Sequence, residues 1–166
     1  PYNRISNNLK RALIAAEDSK FLDHEGFDWE SIQKAYEKNL KKGKIVAGGS
    51  TISQQLAKNL FLSSRKVFWR KGEEAVITVM LEQMMSKRRI LEIYLNVIEW
   101  GNGVFGAEAV VRHYYKTSAS SLSAEQSARL ASMVPNPRYF DTHRNSRGLE
   151  RKTGIILARM NQVQAP

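Results

Sequence analysis

A single, mostly α-helical domain is what this sequence predicts, on three observations. Apolar residues recur at three- and four-residue spacing almost from end to end, no segment of useful length alternates apolar and polar residues, and cap residues stand in front of the periodic stretches. At 166 residues, 42% hydrophobic and 25% charged, the chain is long enough to bury a core and has no disordered composition, and it holds no internal repeat.

Taken in order, Leu9, Ala12, Leu13 and Ala16 mark a first helix after Ser6-Asn7-Asn8, and Trp29, Ile32, Tyr36 and Leu40 mark a second capped by Asp28. Thr51 and Gln54 have the spacing of a capping box, and Ile52, Leu56 and Leu60 follow at i, i+4, i+8, so a third helix starts near Ser50. Residues 75–85 are apolar almost all round, which makes 70–85 the expected buried helix. Ser86 punctuates before a short helix carrying Ile90, Leu91, Tyr94 and Leu95 on one face, with Glu92 and Asn96 placed to brace a cleft. The run Trp100-Gly101-Asn102-Gly103 turns the chain, and 107–115 resumes the helix. Ser123 with Gln126 offers a second capping box, and Pro135-Asn136-Pro137 ends the helix that it starts. A last amphipathic helix spans about 147–163, leaving 41–49 and 135–146 as the linker-like stretches.

Composition narrows function. The 26 Lys and Arg against 16 Asp and Glu give +10, which points to an anionic partner: nucleic acid, an acidic lipid surface or a phosphorylated substrate. Without cysteine there is no disulfide, thiolate nucleophile or cysteine zinc site. His24, His113 and His143 lack the short spacing of a histidine metal site. No run of about 18 apolar residues is present to span a bilayer.

Three segments carry chemistry. The run Gly48-Gly49-Ser50-Thr51-Ile52-Ser53-Gln54-Gln55-Leu56-Ala57-Lys58-Asn59 is too polar for a core, because each buried amide needs several hydrogen-bond partners. It suits a wall that grips a sugar and a phosphate, with the free N–H groups at the helix start as an anion site and Lys58 adding charge. The stretch Glu17-Asp18-Ser19-Lys20-Phe21-Leu22-Asp23-His24-Glu25-Gly26 puts Glu17 where helix gives way to loop, a place open to substrate yet rigidly held. Between 58 and 71 stand Lys58, Arg65, Lys66, Arg70 and Lys71, interleaved with Phe61, Phe68 and Trp69, a pattern that suits either a membrane interface or a single-strand groove.

These residues resemble the peptidoglycan glycosyltransferases, and the likeness covers nearly the whole chain. EDSKFLDHEG from Glu17, GGSTISQQLAKN from Gly48, RKGEE from Arg70, KRRILEIYLN from Lys87 and ARLASMVPNP from Ala128 resemble the family's motifs in their usual order. The resemblance implies a lysozyme-like helical head lobe with a smaller membrane-proximal jaw lobe, the jaw including 41–49 or the segment around 61–69, in one domain over 1–166. It implies Glu17 as catalytic general base and Glu74 as a second carboxylate that orients a cation. Asp18, Phe21, His24 and Gly26 complete the first motif. Ser50, Gln54, Gln55, Lys58 and Asn59 match the wall that meets the diphosphate and sugars, and Arg70 and Lys71 the third motif. Lys66 falls where many relatives carry Arg, while this chain's Arg comes one place earlier as Arg65.

The implied reaction polymerises lipid II into linear glycan strands by inverting transfer with release of undecaprenyl diphosphate. The implied partners are lipid II, the growing lipid-linked strand, the membrane surface and other cell-wall synthesis proteins, without nucleic acid. The implied cofactor is a divalent cation, Mg or Mn, with no organic cofactor, and the implied place is the outer face of the bacterial cytoplasmic membrane with an N-terminal anchor. That no penicillin-binding module follows Pro166 in this sequence looks like the monofunctional type, and an excised domain would look the same. A weak sugar nucleophile needs a base, and a departing diphosphate needs countercharge more than a proton. A lysozyme-like murein-cleaving enzyme is the alternative, though an alkoxide leaving group requires an acid and usually a second carboxylate. A basic nucleic-acid-binding module ranks third, since it leaves Glu17 and the glutamines without a role.

Overall fold

The computed structural model describes residues 1–44, 48–62 and 69–166, and among these the regular structure is helical apart from one small hairpin. Helix α1 (Asn7–Glu17) starts because the Ser6 hydroxyl accepts from the Asn8 N–H, and it turns Leu9, Ala12, Leu13 and Ile14 fully inward. It packs against α7 (Ala124–Met133) and α9 (Arg147–Arg159). Close approach is possible because α7 buries small residues there, Ser127, Ala128, Ala131 and Ser132. The capping box expected at Ser123 and Gln126 starts α7 with both of its hydrogen bonds in place.

Helix α5 (Lys87–Val97), capped by Ser86, places Ile90, Leu91, Tyr94 and Leu95 in the same core. Strands β1 (Glu99–Gly101) and β2 (Val104–Phe105) then pair antiparallel, with Trp100 fully buried, before α6 (Ala107–Tyr115). Each large apolar side chain buried in this way contributes about 1.5–3 kcal/mol, so this assembly is the rigid part of the molecule. Helix α3 (Ile52–Phe61) lies against both α5 and α4 (Arg70–Met84) and connects this core to the rest.

Several expectations change. Helix α4 is not the buried helix: Glu74, Thr78 and Leu81 are buried, but Val76 is 62%, Met80 51% and Met84 78% exposed. The reason is coverage, since among the described residues α3 and α5 are the helices that pack on α4, and they leave its other face open. Helix α2 (Trp29–Lys42) begins at its expected Asp28 cap yet buries no residue, and Trp29, Tyr36 and Leu40 stand in solvent. The hairpin was hidden from a search for alternation because its strands are only 3 and 2 residues long. The expected linker 135–146 contains α8 (Pro137–Thr142), where Pro137 starts a helix instead of merely ending one; at the first helical position its missing N–H costs nothing. The last helix stops at Arg159 and tightens into a 3-10 turn, Met160–Gln162. Glu92 accepts from the Tyr2 N–H and Arg89 and so holds the start of the chain, rather than bracing a cleft, while Asn96 bonds back to the Glu92 carbonyl.

Candidate active site

Glu17 is the last residue of α1, and the chain leaves the helix at Asp18, at φ -161 and ψ 73. The Asp18 carboxylate, almost wholly buried, accepts from His24 Nε2 at 2.9 Å through both oxygens and from the Ile52 backbone N–H at 3.0 Å. His24 Nδ1 in turn accepts from the Gly26 N–H at 3.0 Å, and the Gly26 carbonyl accepts from the Thr51 hydroxyl at 2.6 Å. Gly26 sits at φ +101, and a Cβ there would lie 2.9 Å from Thr78 Cγ2, so only glycine fits the turn. Phe21 lies in the core with the Lys87 ammonium 4.7 Å from its ring centre. Asp18, Phe21, His24 and Gly26 thus form a framework that fastens the end of α1 to the start of α3.

This framework occupies part of the expected anion site at the start of α3. The Ile52 N–H is taken by Asp18 and the Gln54 N–H by Thr51, while the Gln54 side chain returns to the Thr51 N–H. The anion that the helix start receives is the protein's own carboxylate.

Gln55 points the other way. Its Nε2 donates to Glu17 Oε2 at 3.2 Å, and its Oε1 accepts from the Tyr94 hydroxyl at 2.6 Å. Burial pushes the Glu17 carboxyl above its ordinary range, Gln55 and Lys152 pull it down, and Asp18 pushes it up. Burial in turn lowers the Lys152 ammonium, which Glu17 partly offsets. Glu17 opens onto a cavity of about 210 Å³ shared with Gly48, Gly49, Ser50, Asp28 and Arg159. Gly49 is required at its wall, because a Cβ there would meet the Ile32 Cα at 2.8 Å.

Lys152 and Arg159 went unnoticed in the sequence. They stand on α9, far along the chain, and reach Glu17 and its cavity only because α9 packs on α1; no local pattern marks them. Glu82 was missed as well, although it accepts from Ser53 and from Lys87, the latter at 2.7 Å, joining α3, α4 and α5.

The expected cations are distributed along α3 and α4. Lys58 and Asn59 are exposed on α3, Lys58 one turn beyond Gln55 and on the same face. Arg70 opens α4, and Lys71 donates to Glu74 Oε1 at 2.9 Å. Glu74 is 2% exposed, and its Oε2 has no hydrogen-bond partner among the described residues. Arg65 and Lys66 lie outside the described residues, as does Phe68. Among the described residues no three His, Cys, Asp or Glu side chains gather as a metal site.

The chain matches known proteins over nearly its whole length. A family model described as Transglycosylase matches residues 1–161. The chain is similar to the biosynthetic peptidoglycan transglycosylase of Methylobacillus flagellatus, 74% identical over 165 residues, covering 99% of this chain and 72% of the relative. The proteins of the same name from Laribacter hongkongensis (73% identical, 99% of this chain, 72% of the relative) and Chromobacterium violaceum (72% identical, 100% and 73%) are also similar.

Proposed function

The chain belongs to the transglycosylase family, and on that premise we propose that Glu17 is the general base of its peptidoglycan glycosyl transfer. The enzyme is a peptidoglycan glycosyltransferase acting on lipid II or glycan substrate. In the proposed step the 4-hydroxyl of the acceptor GlcNAc bonds to the anomeric carbon of the donor MurNAc. The bond from that carbon to the diphosphate breaks with inversion, undecaprenyl diphosphate leaves with the electron pair, and the hydroxyl proton passes to Glu17.

One observation carries this reading: a carboxylate at a helix end, raised by burial and held by an amide donor, facing a polar cavity edged by Gly48, Gly49 and Ser50, while Asp28 on the same cavity is engaged by the Ser31 N–H and hydroxyl. A base with a raised pKa is better matched to a neutral medium than an ordinary carboxylate. The adjacent acid cannot serve as a glycosidase's second carboxylate, because both Asp18 oxygens are held by His24 and the Ile52 amide. Lys58, Arg70 and Lys71, with either Arg65 or Lys66, supply the countercharge for the diphosphate in this proposal, and each preorganised contact of this kind is worth on the order of 100-fold in rate.

Glu74 fits one position on a divalent cation whose other ligands would be substrate phosphate oxygens and water, the usual mode for Mg. When bound, such an ion would neutralise charge on the departing diphosphate. A membrane surface fits the exposed apolar side chains Phe61, Trp69, Val76, Met80 and Met84 on one flank and Trp29, Tyr36 and Leu40 on another. Among the described residues no helix is long and apolar enough to cross a membrane. We place the enzyme's work on the periplasmic side.

The test offers labelled lipid II and finished murein separately, each with and without moenomycin. Polymer from lipid II that moenomycin suppresses supports the proposal; fragments from murein with no polymer would overturn it.

A further inference from the structure

Tyr94 lies mid-way along α5 with its ring among Ile90, Leu91 and Leu95, where a phenylalanine would pack equally well. What a phenylalanine would lack is the hydroxyl, and that hydroxyl makes the 2.6 Å bond to Gln55 Oε1 whose amide group reaches Glu17.

A carboxamide is nearly the same shape with oxygen and nitrogen exchanged, so shape alone does not fix which end meets Glu17. Chemistry does. An ionised Glu17 accepts only, so it must face the Gln55 NH2, which leaves the Gln55 oxygen turned toward Tyr94 and in need of a donor. A phenol supplies one. With the amide reversed, the Gln55 oxygen would oppose the carboxylate unless Glu17 carried a proton to donate. Tyr94 therefore rewards the one orientation that suits an ionised acid.

We infer that Tyr94 is a positioning residue for the transfer: acting through Gln55, it fixes the amide so that Glu17 is aimed and held in the proton-accepting form. The inference rests on the reading of Glu17 as the base. Tyr94 remains a donor throughout the working range, because burial first, and then Glu17 and Asp18, hold its phenol well above the ordinary value. The other groups around Glu17 are fixed in any comparison of variants. They are Asp18 beside it, Lys152 and Arg159 of α9, and Asp28 at the head of α2, while α7 presents small side chains to α1.

The test compares pH profiles of lipid II turnover for the unaltered enzyme, Tyr94→Phe, Gln55→Leu and Glu17→Gln, with folding followed by circular dichroism. Gln55→Leu, which loses the hydrogen bond to the charged carboxylate, lowers kcat by on the order of tenfold on the acid side with KM nearly unchanged, and Tyr94→Phe, which loses a neutral bond one step removed, lowers it by less. The acid limb of Tyr94→Phe should move to higher pH, Gln55→Leu should move it in the same direction, and the double variant should lose less than the sum. A Tyr94→Phe profile with its acid limb where the unaltered enzyme has it overturns the inference, whatever the change in thermal stability. Should Tyr94→Phe not fold, an unmoved limb in Gln55→Leu overturns it equally. Full turnover by Glu17→Gln would instead remove the base itself, a failure of the parent reading distinguishable from a failure of the relay.

Discussion

Helices α1 and α4 are both rich in apolar residues and meet opposite fates. On α1, Leu9, Ala12, Leu13 and Ile14 are sealed, because α7 and α9 pack against it. On α4, Val76, Val79, Met80 and Met84 remain in contact with solvent, and the fully enclosed positions include a carboxylate, Glu74, and a hydroxyl, Thr78. Hydrophobicity in a sequence thus announces that a side chain has a partner without saying whether the partner is protein. One region builds a rigid seat for the chemistry; the other keeps its apolar surface for something outside the chain, in our proposal the membrane that holds the substrate's lipid.

The contrast can be broken most sharply at Leu13. Leu13→Ala should cost about 2–5 kcal/mol, read as a lowered Tm or denaturation midpoint, because it opens a cavity in a closed core. A loss below about 1 kcal/mol would mean that the α1 seat is not the rigid element described here.

A smaller effect is expected from the charge on Glu17. Its folded-state pKa is raised, so the folded protein holds the proton more tightly than the unfolded chain, and stability falls as pH rises from the ordinary carboxylate range through the raised value. Glu17→Gln removes that cost. Its Tm should exceed that of the unaltered protein at neutral pH, with the difference vanishing in acid; a lower Tm at neutral pH would contradict the assigned burial.

The smallest change in stability belongs to α4. Val76→Ser with Met80→Ser should shift unfolding by no more than about 0.5 kcal/mol per site, since neither side chain is enclosed. The same pair should weaken sedimentation with anionic lipid vesicles. Unchanged vesicle binding together with a large stability loss would assign this face to the protein's own core.

Much of the seat was legible locally. The cap at Asp28, both capping boxes and the placement of Glu17 at a helix end follow from short-range chemistry, and the structure has each of them. What escaped was everything that depends on packing between distant segments. Lys152 and Arg159 come near Glu17 only through the seating of α9 on α1, and Asp18 holds the head of α3 across 34 positions of chain. Tyr94 read as core, which its ring is; its hydroxyl acquires meaning only from Gln55. The hairpin was too short to show a period, and Pro137 carries the same letter whether it stops a helix or starts one.

The central claim is that Glu17 accepts the proton of the attacking hydroxyl. Its most direct measurement is single-turnover conversion of labelled lipid II by Glu17→Gln, at a concentration where binding of lipid II to the variant has been shown. The account predicts bound substrate, a folded enzyme and no polymer; polymer formed at the unaltered enzyme's rate would contradict it.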